Sequence, residues 1–319
     1  MMRKSVFLNI SYENTDGVTV PLLRVIDLLH TYERVKKYHS PDVDLKFIFN
    51  IKCTHFGNII PTYIKPKNEY DLSKTSSEIL DINIEKSVSA EVFRDTISDV
   101  VMPLLNIELE RFWIPTPVKH SSFDIVNDIW NKYFYFDERI LQKLLNFNRD
   151  TTLGVHFRGT DKQTDINQTN GITEDEFILI IEDHISKNNH IDTIFCCSDE
   201  QSFVEGIKNN FPNMVVLENE QTRIFWGDGK NFSKNEQDEL VISVFLDILS
   251  LSKCNVILKT SSAMSCFSKI FNPKMEIYTT SAMKKPWFPA SLTQIYKTDS
   301  DKINKILERT MQDHINVTD

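Results

Sequence analysis

From Thr151 onward the chain alternates short apolar runs with helix-length amphipathic segments. Strands are predicted at residues 153–157, 193–197, 214–217, 255–258 and 275–278. Between them the pattern predicts helices at about 173–187, 201–210, 236–252 and 262–271. Thr173 with Glu176 three residues on forms a capping box that starts the first of these. Strands joined by helices close as a parallel, doubly wound sheet, because parallel neighbours need a long crossover. All strands then end on one edge, and ligands bind in the crevice outside those ends. The chemistry of the chain should therefore gather just after each strand.

Three strand ends carry such residues. Residues 153–157 run into Arg158-Gly159-Thr160-Asp161-Lys162, with Asp165 beyond and His156 just inside. Arg158 offers a planar fork of N–H donors that suits phosphate oxygens, and Gly159 lets the backbone turn under a ligand. The second end is Ser198-Asp199-Glu200 and the third is Lys259-Thr260-Ser261-Ser262. Ser261 and Ser262 at a helix start form an anion site, with N–H groups, hydroxyls and the positive end of the dipole. Together with Arg158 they point to a diphosphate. Asp247, on the preceding helix, is a carboxylate that could accept the N1–H and N2–H₂ donors of guanine. Trp226, Trp287 and Phe288 are candidates for stacking on sugar rings. Plainer readings stand beside these. Arg158 could pair with Asp161 or Asp165 on a surface loop, and Asp199 could cap the helix at Gln201. Asp247 could face solvent, His156 could be a core histidine, and the serines could be ordinary caps.

The first half reads as strand 5–11, helix 22–38 and strand 44–53, a parallel α/β unit, followed by loops, a short strand at 79–84 and a helix at 90–110 bent by Pro103. Pro115 and Pro117 mark a boundary, with further helices at 123–133 and 137–146. The expected organisation is an N-terminal Rossmann-like acceptor domain at 1–120, a C-terminal Rossmann-like nucleotide-sugar domain at 121–290 and a helical tail at 291–319 that packs back on the first. The net charge of −9 argues against a nucleic-acid partner held by general electrostatic attraction. Five cysteines without zinc or small-domain spacing read as free thiols of a reducing compartment. With no apolar run of membrane-spanning length and no signal-peptide pattern, a cytoplasmic protein without an integral membrane segment is expected. Asp42-Val-Asp44, which precedes a strand, reads as a solvated turn, and no metal cluster or cofactor motif is evident.

In order and spacing these pieces resemble the GDP-fucose-dependent fucosyltransferases of the α1,6 type, including the nodulation enzymes, and more loosely the protein O-fucosyltransferases. The family's His-x-Arg-Arg-Thr-Asp-Lys loop is matched by His156-Phe-Arg158-Gly159-Thr160-Asp161-Lys162. Its Thr-Asp-Asp strand end is matched by Ser198-Asp199-Glu200. Its helical Asp, strand and Ser-Ser helix start are matched by Asp247, residues 255–258 and Ser261-Ser262. The resemblance covers roughly residues 130–280. It implies a GT-B architecture, two facing Rossmann-like domains with parallel sheets, and inversion at the sugar without metal or cofactor, the GDP-sugar being a co-substrate. By the same resemblance Arg158 would hold the β-phosphate, His156 and Asp247 would sit at guanine and ribose, Ser261 and Ser262 would bind phosphate oxygens, and Asp199 and Lys162 would lie near the nucleotide-sugar.

The chain departs from the family at three places. The second arginine is Gly159, the catalytic Glu expected four residues after the lysine is Ile166, and the glycine-rich element of the family's first half is not evident, Phe56-Gly57-Asn58 being a candidate for something like it. The mechanism can be argued without the name. Displacing a nucleoside diphosphate builds negative charge on the leaving group, which needs a divalent metal or cationic and N–H donors. Arg158 and the Ser261 helix start are the donors available. The acceptor hydroxyl needs a general base, for which Asp165 comes first, then Asp161 and Glu174. The expected activity is transfer of fucose from GDP-fucose to an oligosaccharide or glycoconjugate. The alternatives are another GDP-hexose on the same fold, or a module that binds nucleotide-sugar or glycan without turnover.

Overall fold

The computed structural model describes residues 4–14, 17–39, 41–54, 56–68, 78–84, 88–108, 123–159, 171–219, 233–281 and 294–311. The chain forms two compact units, Met1–Leu141 and Gln142–Asp319.

The first unit opens with β1 (Lys4–Asn14), α1 (Thr19–His39) and β2 (Val43–Cys53). β1 and β2 are parallel along their whole length, from Lys4↔Val43 to Asn14↔Cys53. The crossover between them is α1, which buries Leu22, Val25, Ile26 and Leu29. β3 (Gly57–Ile60) runs antiparallel beside β2, and β5 (Glu78–Ile84) runs parallel on the other side of β1. The sheet order is β3-β2-β1-β5. α2 (Ala90–Leu105) starts at Ser89, whose hydroxyl accepts the Val92 N–H. It ends at Asn106 in the left-handed region, short of the expected residue 110.

The division falls at residue 141 rather than 120 because of pairings between distant residues. α3 (Phe123–Tyr133) leads into β6 (Phe134–Phe136), which pairs antiparallel with β4 (Ile64–Pro66). Lys132 forms an ion pair with Glu33 of α1 at 2.5 Å, and the Tyr133 hydroxyl donates to the same carboxylate. Trp130 packs on Phe134 and Phe136 with ring centroids 5.5 and 5.1 Å away. α4 keeps only Glu138–Leu141 of the helix expected at 137–146.

The second unit contains β7 (Thr152–Phe157), α5 (Glu174–Lys187), β8 (Thr193–Ser198), α6 (Gln201–Asn210), β9 (Val215–Leu217), α7 (Lys234–Lys253) and β10 (Val256–Lys259). α8 (Ala263–Phe267) follows and tightens into a 3₁₀ turn at Ser268–Ile270. β11 (Glu276–Thr279), β12 (Gln294–Ile295) and α9 (Asp301–Met311) complete it. All six strands are parallel, in the order β12-β11-β10-β7-β8-β9. Numbered from β7 and read from β9, that order is 3-2-1-4-5-6, a Rossmann sheet. The fold class is α/β, as expected.

Every residue of β7 is buried, as a central parallel strand covered on both faces requires. On one face Leu153, Val155 and Phe157 join Ile194, Cys196 and Leu258, and Phe203 and Phe177 stack on Phe157 at 4.5 and 5.9 Å. On the other face Phe195, Cys197, Leu251, Ile257 and Met275 form a second core. Gly154 lets that face close, because a Cβ there would lie 3.0 Å from Ile257 and 3.2 Å from the Cys254 sulfur. All five cysteines are buried free thiols.

The expected tail belongs to this unit. Ile303, Ile306 and Leu307 of α9 enter the core that holds β7, and Arg309 forms an ion pair with Glu176 of α5 at 2.6 Å. Among the described residues no helix is long and apolar enough to cross a membrane.

Candidate functional site

The strand order of the second unit reverses direction at β7, with β8 on one side and β10 on the other. The switch point is the crevice beyond the ends of β7 and β10, where α/β sheets take ligands. Arg158 follows β7 there, and Thr260-Ser261-Ser262 follows β10. The two turns are joined directly. The Arg158 N–H donates to the Thr260 hydroxyl at 2.8 Å, and the Thr260 N–H donates to the His156 carbonyl at 3.0 Å.

Asp199, beyond β8, completes the setting of Arg158. One of its oxygens accepts the Gly159 N–H at 3.1 Å and the other lies 3.2 Å from the Arg158 guanidinium. A guanidinium has five donors, and a carboxylate held at one end fixes the plane of the fork. Asp199 is thus a positioning group rather than a helix cap. The N-cap residue of α6 is Glu200, with no side-chain cap bond. Arg158 is ion-paired with Asp199 at the sheet edge, with 25% of its side chain exposed; Asp161 and Asp165, the partners of the plain reading, lie outside the described residues.

Glu200 occupies the space over Gly159. A Cβ at position 159 would meet the Glu200 carboxylate at 1.9 Å. Glu200 also shares a hydrogen bond with Glu174, the first residue of α5, and Ser202 donates to Glu174 at 2.7 Å. Burial, then Glu174, then Asp199 push the Glu200 carboxyl up to about 7. The Glu200–Glu174 hydrogen bond therefore lies at Gly159, the residue after Arg158. Nothing in the sequence spacing brings Glu174, Gly159 and Glu200 together.

The Ser261-Ser262 turn is more occupied than its sequence suggests. The Ser261 N–H, expected to be open to an anion, donates to the Ser281 hydroxyl at 2.9 Å. Ser262 caps α8 by accepting the Met264 N–H at 3.2 Å. With five residues α8 also carries less aligned dipole than the expected helix of 262–271. The positive character of this edge therefore comes chiefly from Arg158, with hydroxyls around it.

His156 and Asp247 lie deeper. His156 is fully enclosed, its Nδ1 has no hydrogen-bond partner among the described residues, and burial, Lys259 and Arg158 lower its pKa well below the ordinary value. Asp247 is buried rather than solvent-facing. It accepts from the Asn219 amide at 2.8 Å and from the Cys197 thiol, which burial and then Asp247 push up. Asn219 follows β9 and has no motif to mark it. Asp161, Lys162 and Asp165, with Trp226, Trp287 and Phe288, lie outside the described residues. Among the described residues no three His, Cys, Asp or Glu side chains gather as a metal site. Asp44 of the Asp-x-Asp pair is a partly buried ion-pair residue. Burial opposes its charge, but Lys36 and Lys46 hold it down to about 2.

No family model matches the chain, and no curated protein matches it. Solved structures similar to it include fucosyltransferases. The fucosyltransferase NodZ from Bradyrhizobium is 12% identical, over 84% of this chain and 93% of that one, with a TM-score of 0.47. NodZ α1,6-fucosyltransferase soaked with GDP-fucose is 11% identical, over 85% of this chain and 93% of that one, also at 0.47. POFUT1 in complex with GDP-fucose is 9% identical, over 83% and 93%, at 0.41. With TM-scores below 0.5, these are likenesses only, and the chemistry rests on the residues.

Proposed function

We propose that this chain is a GT-B glycosyltransferase that moves fucose from GDP-fucose to a hydroxyl of an oligosaccharide or glycoconjugate, with inversion and without a metal. The observation that carries the reading is the join of Arg158 to Thr260 across the switch point of a Rossmann sheet. Ligands of such sheets bind in that crevice, which supports a diphosphate held between the Arg158 guanidinium and the hydroxyls after β10. The ordered motifs at His156–Lys162, Ser198–Glu200, Asp247 and Ser261-Ser262 supply the choice of guanine and fucose.

The reaction is a single displacement. The acceptor oxygen bonds to the anomeric carbon as that carbon's bond to the β-phosphate oxygen breaks, and the electron pair leaves on the diphosphate. Arg158, oriented by Asp199, stabilises that charge more in the transition state than in the bound donor. Ser261, Ser262 and Lys162 serve the phosphates and sugar, and His156 and Asp247 serve the guanosine side. The acceptor's proton goes to a carboxylate, which we assign to Asp165, with Asp161 and Glu174 as the other choices. Glu174 has the Glu200 hydrogen bond beside it.

One observation favours a second reading, a module that binds nucleotide-sugar without turnover. The acid pair over Gly159 adds negative charge beside the proposed phosphate position. A thermal-shift panel of GDP, UDP, CMP and dTDP sugars, followed by a transfer assay, separates the ideas. Ligands of the native state raise its melting temperature by mass action. The enzyme reading expects GDP-fucose to be consumed, Arg158→Ala to lower kcat/KM by about 10²–10³-fold, and chelator to change nothing. Stabilisation by GDP with no GDP-sugar consumed supports the module. Preference for UDP removes guanine, and consumption of another GDP-hexose alone replaces fucose.

A further inference from the structure

Lys259 is the last residue of β10 and is 2% exposed. Its register partners are His156 on β7 and Thr279 on β11. Its ammonium donates to the sulfur of Cys266 on α8, and among the described residues no carboxylate pairs with it. Asp247 of α7, which meets Cys197, the register partner of His156, is engaged by Asn219 and Cys197. The other cations near this row are Arg158, beside His156, and Lys269, whose ammonium donates to the Met275 carbonyl. Thr279 and Thr280 are committed as donors, to the Ser281 and Lys259 carbonyls.

Enclosing an ammonium without a counter-charge is strongly unfavourable, and here burial lowers the lysine's pKa. In the same row the enclosed imidazole of His156 has no partner on Nδ1 among the described residues. Lys259 sits one residue before Thr260, and His156 two residues before Arg158, at the edge where those two meet. An anion arriving at that edge supplies what the row lacks.

We propose that Lys259 is a buried counter-charge for the diphosphate of the nucleotide, acting from beneath the β10 turn while Arg158 acts from above. This rests on the nucleotide-sugar reading given above. Lys259 then binds as a cation when the diphosphate is present, and its contribution fades as rising pH removes its proton.

The test is calorimetric titration of the whole chain with GDP and with guanosine, for the native protein, Lys259→Met and Lys259→Arg. Lys259→Met should weaken GDP by at least about tenfold and guanosine by less than about twofold. Lys259→Arg should keep part of the GDP affinity. Equal losses for both ligands, or none, overturn the proposal. Should Lys259→Met not fold, the native protein decides. Its GDP affinity, relative to that for guanosine, which shares the guanine ionisation, should fall as pH rises and the lysine, whose pKa burial lowers, loses its proton. A GDP-to-guanosine ratio independent of pH overturns the idea. Failure of the native protein to bind any nucleoside diphosphate instead removes the function reading beneath it, a separate result.

Discussion

Arg158, Gly159, Asp199 and Glu200 form one mechanical unit, and its tightest constraint is the missing side chain of Gly159. A methyl group there would meet Glu200 Oε1 at 1.9 Å and Cγ at 2.8 Å, so the whole outer half of Glu200 must move. Gly159→Ala should therefore cost about 1–3 kcal/mol. Adding Glu200→Ala should recover most of that loss, since the three nearest atoms all belong to Glu200. A double-mutant cycle by denaturant unfolding measures the coupling, and additive single effects would show that Glu200 is not the obstacle. The same acid has a pH signature. Its carboxyl is moved from 4.5 to about 7, by burial first and then by Glu174 and Asp199. Between those values the folded chain holds a proton that the unfolded chain has lost, so Glu200 makes stability fall as pH rises through that window. The difference in unfolding free energy between the native chain and Glu200→Gln should change with pH across the window and be flat above it. A difference that stays constant from pH 4.5 to 7 would mean that Glu200 titrates as an ordinary surface acid. The sequence shows that acids and a cation gather at this edge. It does not show that Glu200 lies in the gap left by Gly159, because that contact depends on how β8 sits beside β7.

Elements were legible where a local signal and a tertiary role coincide. Thr173 and Glu176 make both bonds of the expected capping box, and α5 ends at Lys187 as its pattern predicts. Ser233 and Glu236 make the same box at the start of α7, which begins at Lys234, two residues before the expected start, in a polar run with no apolar period of its own. The helix expected at 262–271 breaks after Phe267 into a 3₁₀ turn, with Ser268 buried, because packing overrides its apolar pattern. α9 shows which forces hold an element in place. Its apolar residues Ile303, Ile306 and Leu307 are buried in the core around β7, and the Thr310 hydroxyl donates to the Thr280 carbonyl at 2.7 Å. Arg309 reaches Glu176 through two oxygens at 2.7 and 2.6 Å, but half of its side chain is exposed. Burial should outweigh the ion pair. Leu307→Ala is expected to cost about 2–4 kcal/mol, and Arg309→Ala less than about 1 kcal/mol. Urea unfolding of the two variants ranks them, and a larger loss for Arg309→Ala would place the anchor of α9 in its charge instead.

At the scale of the whole chain, the placement of the boundary decides what each half can do alone. Proline density placed it near 120, whereas the pairing of β4 with β6 and the hold of Lys132 and Tyr133 on Glu33 carry the first unit to Leu141. A reading by local composition misses such joins, since they link residues distant in sequence. The second unit has a complete six-stranded sheet with a core on each face. It also holds every described candidate for the nucleotide: His156, Arg158, Asp199, Asp247, Ser261 and Ser262. Apolar burial of that extent supports a fold of its own in a domain of ordinary size. Residues 142–319, made alone, should therefore melt cooperatively and bind GDP within about threefold of the whole chain, while transferring no sugar. Circular dichroism, calorimetry and a transfer assay check the three parts in turn. A fragment that folds yet does not bind GDP would move part of the nucleotide site into residues 1–141. A fragment that binds GDP and transfers sugar would remove the first unit's claim on the acceptor. Binding without transfer is the outcome that assigns the donor to the Rossmann sheet and leaves the acceptor to the other half.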